Sequence, residues 1–103
     1  MPNDRIKVEI EKDLTEIIPD FLNNRRMDID IIDKSLESGD FEAIGRVGHK
    51  MKGSGGGYGF ERITEIGAGI EVFAKNKNID KIKELSLELS DYLEAIDVVF
   101  VEN

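Results

Sequence analysis

The chain has 103 residues, one histidine, no cysteine and a formal net charge of −8 at pH 7. This length supports one hydrophobic core, so we expect a single domain that occupies residues 1–103. The absence of cysteine excludes disulfides and thiolate metal sites, and the acidic charge argues against nucleic-acid binding, which needs clustered cations.

The sequence contains no evident targeting or membrane-spanning segment. Charged residues follow Asn3 directly, unlike the apolar run of a signal peptide, and no apolar stretch approaches the roughly 20 residues that cross a bilayer. We therefore expect a cytoplasmic protein without a membrane partner. Met1 and the short length favour a free-standing protein, and the charge of the exposed faces favours a monomer.

Both ends of the chain carry strand-like patterns. In residues 5–11, Ile6, Val8 and Ile10 alternate with charged residues, and residues 97–102 are rich in β-branched and aromatic side chains. The two segments could pair as a short two-stranded ribbon beside the helices, or each could be a frayed helix end. The residues alone leave both interpretations open.

A long helical pattern follows the first strand-like segment. Its apolar residues recur at the spacing of one helix face, and they are Leu14, Ile17, Ile18, Phe21, Ile29, Ile32 and Leu36. Pro19 predicts a bend or a restart, because it cannot donate a backbone hydrogen bond. The polar residues 23–26 fall on the apolar stripe and predict a break between two helices, while Gly39 predicts a helix end.

Three further amphipathic patterns follow. Asp40 predicts the N-cap of a helix whose apolar face carries Ile44, Val47 and Met51. The next pattern follows Gly59, and the last begins near Ile79. Amphipathic helices joined by short connections predict an all-α, antiparallel four-helix bundle, with its core over about residues 13–97.

The histidine lies within the glycine-rich sequence GRVGHKMKGSGGGYG, residues 45–59. If residues 40–58 continue as one helix, each residue advances by about 100°, and His49 lies about 140° away from the core position Ile44. The imidazole is therefore predicted to be exposed to solvent.

The glycines of this segment form two groups on the helical wheel. Gly48 and Gly55 face the core, where a missing side chain lets a neighbouring helix approach. The group that faces outward around the histidine is Gly45, Gly53 and Gly56. Each helical glycine costs roughly 0.8–1 kcal/mol relative to alanine. Outward glycines at that cost indicate that another macromolecule brings a reactive atom up to the ring.

Basic residues crowd around the histidine, namely Arg46, Lys50 and Lys52. Such a patch on an acidic protein suggests an anionic ligand or an acidic partner surface, although solvated surface lysines are the alternative. A metal site has no support because no second histidine and no cysteine exist. Neither the Walker pattern nor G-x-G-x-x-G is present, so the sequence shows no nucleotide site.

The sequence HKMKGSGGGYG resembles the signature of the histidine-containing phosphotransfer (HPt) domain family. That signature is histidine, any residue, a hydrophobic residue, Lys-Gly-Ser and a small residue, with a glycine ten residues after the histidine. Its positions are filled by His49, Met51, Lys52, Gly53, Ser54, Gly55 and Gly59. The resemblance covers roughly residues 14–93 and departs only mildly, at Gly55 and Met51.

The resemblance implies a phosphoryl carrier in a two-component phosphorelay. His49 would accept a phosphoryl group from a receiver-domain aspartyl phosphate, or from a histidine kinase, and pass it to a response regulator. The implied partners are receiver domains of response regulators, a hybrid sensor histidine kinase, or both. The carrier would have no ATP site and no cofactor of its own, with Mg²⁺ on the receiver domain.

The resemblance also implies roles for individual residues. Lys52 would neutralise charge on the phosphoryl group, and Gly53 would keep the approach to the imidazole open. Arg46 and Lys50 would steer the partner, and Gly45 and Gly56 would border its docking surface. The alternative is an adaptor that binds a receiver domain or another signalling protein without being phosphorylated.

Overall fold

The computed structural model describes residues 5–102. Over this range it contains β1 (Ile6–Glu11), α1 (Ile18–Ser38), α2 (Phe41–Ser54), α3 (Glu61–Lys75), α4 (Ile79–Ala95) and β2 (Ile96–Val101). Two short 3-10 turns, Lys12–Leu14 and Gly56–Tyr58, precede α1 and follow α2. The predicted four-helix bundle is confirmed, and of the two open interpretations of the chain ends, the two-stranded ribbon is the one observed. None of the described helices combines the length and the apolar character needed to cross a membrane.

The ribbon is a parallel pair, in register from Ile6 opposite Ile96. Parallel strands need a crossover connection, and here the whole helical bundle supplies it. Ile10 on β1 is buried in the core. Arg5 holds the beginning of β1 against the end of α4, because its guanidinium donates to the backbone oxygens of Glu94 and Ile96, both at 2.8 Å.

Helix α1 is continuous over 21 residues, so the predicted break at residues 23–26 is wrong. At Pro19, where a bend or a restart is predicted, the structure has a restart: the 3-10 turn Lys12–Leu14 comes first, and α1 begins at Ile18. Pro19 lies in the first turn, where a missing N–H removes no helical hydrogen bond. Within 23–26, Arg25 turns towards the interior, and its guanidinium lies 4.9 Å from the centroid of the Phe21 ring. A polar residue on the apolar stripe is thus accommodated without interrupting the helix.

The connection between α1 and α2 follows the sequence prediction. Gly39 ends α1 in the left-handed conformation with φ of 73°, which glycine adopts without steric cost. Asp40 caps α2, because its carboxylate accepts a hydrogen bond from the backbone N–H of Ala43 at 3.0 Å. The other end of α2 differs from the prediction: the helix stops at Ser54 rather than near Tyr58.

Helices α2 and α3 approach each other closely where two glycines face each other. A Cβ atom added to Gly67 would lie 2.6 Å from the backbone nitrogen of Lys52 and 2.7 Å from the carbonyl oxygen of Gly48. A Cβ atom on Gly48 would lie 2.7 Å from the backbone nitrogen of Glu71. Side chains at these positions would force the backbones apart, so both glycines are needed for this packing.

The close approach predicts opposite effects for two glycine-to-alanine substitutions. Gly67→Ala should lower the free energy of unfolding by about 1–3 kcal/mol or more, because the added methyl overpacks the contact with α2. Gly53→Ala should raise it by up to about 1 kcal/mol, because alanine favours helix and nothing lies within 4 Å of its Cβ. Urea unfolding followed by circular dichroism measures both, and a Gly67→Ala protein as stable as the wild type would contradict the packing described.

Candidate functional site

His49 lies on the outer face of α2, and its side chain is 68% exposed. The exposure predicted from the helical wheel is therefore observed. Its Nδ1 atom lies 2.9 Å from Oε2 of Glu71 on α3. An ionised carboxylate can only accept hydrogen bonds, so a neutral imidazole donates from Nδ1–H to Glu71. Nε2 then carries the free lone pair, and within residues 5–102 it has no hydrogen-bond partner.

Glu71 joins the histidine to a lysine. Its second oxygen, Oε1, lies 2.8 Å from Nζ of Lys52. One carboxylate thus accepts a hydrogen bond from the imidazole N–H of His49 and pairs with the ammonium group of Lys52. The hydrogen bond from Lys52 is the main influence that lowers the pKa of Glu71 below its ordinary value of 4.5. Desolvation opposes this shift, and the hydrogen bond from His49 adds to it. Glu71 is therefore ionised at neutral pH.

Glu71 was not identified as a site residue from the sequence. It lies one turn after Gly67 and directly after the buried Ile70, at the edge of the apolar stripe of α3. A carboxylate at the edge of an apolar stripe is the signal that could have placed Glu71 beside a neighbouring helix. The sequence did not reveal that α2 lies across this edge, and this is the fact that brings the carboxylate to His49.

The other two predicted basic residues make different contacts. Nη1 of Arg46 lies 2.8 Å from Oε1 of Glu42, one turn earlier on α2, and both side chains are exposed. Lys50 lies near the buried Asp28 of α1: burial raises the pKa of Asp28, and the positive charges of Arg25 and, more weakly, Lys50 oppose that rise. Of the three predicted cations, Lys52 alone is brought into the His49–Glu71 cluster.

An open groove runs beside His49 between α2 and α3, with a volume of about 580 Å³. Its apolar part is formed by Phe41, Gly45 and Ala74. Its charged border is formed by Glu42, Arg46, His49, Lys50, Glu71 and Lys75. The imidazole thus lies at the edge of a concave surface that a partner can occupy.

The outward glycines are not equivalent. Gly53 is exposed, and a Cβ atom there would meet nothing within 4 Å, as the wheel predicts. Gly45 is instead half-buried, since its Cβ position lies 3.7 Å from the Cβ of Ala74 in the groove. The helical wheel does not apply to Gly56, because α2 has already ended at Ser54. The N–H of Gly56 instead donates to Oγ1 of Thr64 on α3 at 2.6 Å.

The two glycines predicted to face inward do so. Gly48 lies against α3, as described above, and Gly55 lies against Thr64, whose backbone nitrogen would be 2.7 Å from an added Cβ. The glycine-rich segment therefore serves two purposes. It allows α3 to pack closely on one side, and it leaves the surface bare at Gly53 on the other.

Comparison with known proteins agrees with this geometry. The family model for the Hpt domain matches residues 16–98, which include His49, Lys52 and Glu71. No curated protein and no solved structure matches the chain. Hpt domains carry out histidine phosphotransfer in two-component signalling; they are phosphocarriers rather than kinases, and they interact with receiver domains and kinases. With its helical bundle and its exposed histidine on α2, this chain belongs to the Hpt domain family.

Proposed function

We propose that this protein carries a phosphoryl group on Nε2 of His49 between the partners of a two-component phosphorelay. The donor is a receiver-domain aspartyl phosphate or a histidine kinase, and the acceptor is the aspartate of a response regulator. The observation that carries the proposal is the 2.9 Å contact of Nδ1 with Glu71, which holds the ring by one nitrogen and leaves the other towards solvent.

The chemistry of the transfer suits this arrangement. The lone pair of Nε2 attacks phosphorus, the N–P bond forms, and the bond from phosphorus to the aspartyl oxygen breaks with its electron pair left on the departing carboxylate. Nδ1 keeps its proton throughout, so the ring gains positive charge as the N–P bond forms. The Glu71 carboxylate beside Nδ1–H stabilises that charge and holds the ring in the reactive tautomer.

Lys52 is the group that neutralises charge on the phosphoryl oxygens in this proposal. It lies on the turn after His49, and its side chain is 44% exposed, so its ammonium group can contact both Glu71 and an incoming anion. Phosphoryl transfer depends mainly on positioning and charge neutralisation. The carrier itself needs no cofactor or ATP site, and Mg²⁺ belongs to the receiver domain.

The partner docks on the outer face of α2 in this proposal. The bare surface at Gly53 lets the receiver bring its aspartyl phosphate to Nε2, and the groove beside Gly45 provides an apolar contact area. Arg46 and Lys50 border the groove and attract an acidic receiver surface. Gly56 lies beyond the end of α2, so we assign it no contact with the phosphoryl group.

Substitution of the acceptor tests the proposal directly. The wild type, incubated with a panel of phosphorylated receiver domains, should acquire an acid-labile, alkali-stable phosphoryl group, and His49→Gln should acquire none. Circular dichroism should show the same helical content for both proteins, because His49 is exposed. Receiver binding without any label on the wild type would contradict the carrier and favour the adaptor.

Removal of the negative charge beside Nδ1 tests the role of Glu71. Glu71→Gln should slow transfer by about 10- to 100-fold, by analogy with carboxylates that orient metal-bound histidines. Glu65→Gln is the matched control, because Glu65 is also on α3 and pairs with Arg62 at 3.0 Å. Quench-flow transfer from one phosphorylated receiver measures the rates, and equal rates for the two variants would contradict the proposed role.

The pH dependence of the same contact has a defined sign. Because the pKa of Glu71 is lowered on folding, its contribution to stability is complete above its ordinary value of 4.5. The contribution is lost as the pH falls through the lowered pKa. As the pH falls from 4.5 through the lowered pKa of Glu71, the melting temperature of the wild type should therefore fall more than that of Glu71→Gln. Thermal unfolding of both proteins at a series of acidic pH values measures this difference.

A large side chain at Gly53 tests the open approach. Gly53→Leu should slow transfer from a receiver by about 10-fold or more, the cost of a small misplacement of reacting groups. Its labelling by phosphoramidate, a small donor that needs no docking, should stay unchanged. The fold should be preserved, because a Cβ at this position has no neighbour within 4 Å. Unchanged transfer from the receiver would contradict a docking surface at Gly53.

A further inference from the structure

Arg25 is the one buried cation within residues 5–102, and neither the packing of α1 nor the proposed transfer explains it. It is 8% exposed, and so is Asp28, one turn later on α1. Burial of a charged side chain is unfavourable unless hydrogen bonds or opposite charges compensate for the lost water. The partners of Arg25 therefore indicate what the residue does.

The guanidinium of Arg25 connects α1 to the last turn of α2. Its Nη1 donates to Oγ of Ser54 at 3.0 Å, and the same hydroxyl donates to the backbone oxygen of Lys50 at 3.0 Å. Ser54 is the last residue of α2, and Lys50 directly follows His49. A side chain from α1 thus contacts one end of the turn that contains Lys52 and Gly53 directly, and is linked to the other end through the Ser54 hydroxyl.

Two other contacts fix the guanidinium in place. Its Nε lies 2.8 Å from Oδ2 of Asp28, as a close ion pair without the alignment of a hydrogen bond. Its Cζ atom lies 4.9 Å from the ring centroid of Phe21, which is a cation–π contact. Phe21 in turn stacks on Phe60 with centroids 5.5 Å apart, so the same face of α1 contacts the chain on both sides of the glycine turn.

The last turn of α2 needs such support. The final carbonyl groups of a helix lack partners within the helix, and Gly53 and Gly55–Gly57 weaken the helical conformation around Ser54. Ends of this kind open locally more often than the rest of a fold. Lys52 lies in this turn, so local opening would move its ammonium away from Glu71 and His49.

We propose that Arg25 is a positioning residue for phosphotransfer: through Ser54 it clamps the last turn of α2 to α1 and keeps Lys52 and Gly53 beside His49. The transfer role rests on the proposed function, whereas the clamp rests only on the contacts described. A purely stabilising residue would change the global free energy of unfolding, but it would not change local opening at this turn or the transfer rate of folded molecules.

The test compares Arg25→Met with Arg26→Met, the same substitution at the exposed neighbouring position on α1. Native-state amide hydrogen exchange by NMR is measured where unfolded protein is negligible. In Arg25→Met the amides of residues 51–57 should exchange about 10-fold faster or more, the effect expected for loss of one hydrogen bond to a charged group. Amides of α4 should change less, and Arg26→Met should match the wild type.

A second variant covers the case in which Arg25→Met fails to fold because Asp28 is left buried without its partner. Ser54→Ala removes the acceptor of the Nη1 bond and leaves the Arg25–Asp28 pair intact. It should reproduce the faster exchange of residues 51–57. Exchange that rises equally in α2 and α4, in both variants, would overturn the clamp.

Transfer from a phosphorylated receiver, measured on the same proteins, tests the positioning role. The folded fraction of Ser54→Ala or Arg25→Met should transfer about 10-fold more slowly than the wild type, because Lys52 and Gly53 are then held less closely to the geometry that transfer needs, and small misplacements of reacting groups are costly. If the wild type takes no label from any receiver, the carrier proposal fails and the positioning role fails with it. If the wild type transfers and both variants transfer at the wild-type rate, the positioning role alone is overturned.

Discussion

The close approach of α2 and α3 at Gly48 and Gly67 is the constraint on which the rest of the site depends. The backbones are so near that an added Cβ at either glycine would lie under 3 Å from atoms of the other helix. Glu71 follows Gly67 by one turn, and it reaches both His49 and Lys52 because the two helices nearly touch. A packing feature of the interior therefore determines which nitrogen of an exposed imidazole carries its proton.

Helix α2 is held from both flanks by charged side chains of its neighbours. Glu71 of α3 contacts His49 and Lys52, and Arg25 of α1 contacts Ser54. Between these two flanks the outer face remains open, with nothing over Gly53. Glycine lowers the stability of the helix that contains it, and contacts from α1 and α3 offset this loss. The site is thus held by contacts at both flanks and open at the outer face of α2, an arrangement that suits the proposed reaction between two macromolecules.

Features that depend on neighbours in the chain were predictable from the sequence. The cap at Asp40, the left-handed Gly39 and the exposure of His49 follow from local rules and from the helical period. The contacts of Arg25 and Glu71 were not predictable, because they depend on which helices are adjacent in space. The predicted placement of Gly56 on the outer face of α2 was wrong, because a helical wheel does not show where a helix ends. The ribbon was one of two open interpretations, since six-residue patterns do not reveal their partner or its direction.

The parallel ribbon has a consequence for the order in which the chain folds. It pairs Ile6 with Ile96, and the Arg5 side chain bonds to a backbone oxygen 91 positions away in the sequence. Contacts of such high sequence separation carry a large loop-closure entropy, so they form late unless intervening structure brings the ends together. Here the intervening structure is the bundle itself, whose helices make mostly short-range contacts and can assemble first. Strand pairing is then expected as a late step, which joins the two ends of the assembled bundle and holds the end of α4, because β2 follows that helix directly.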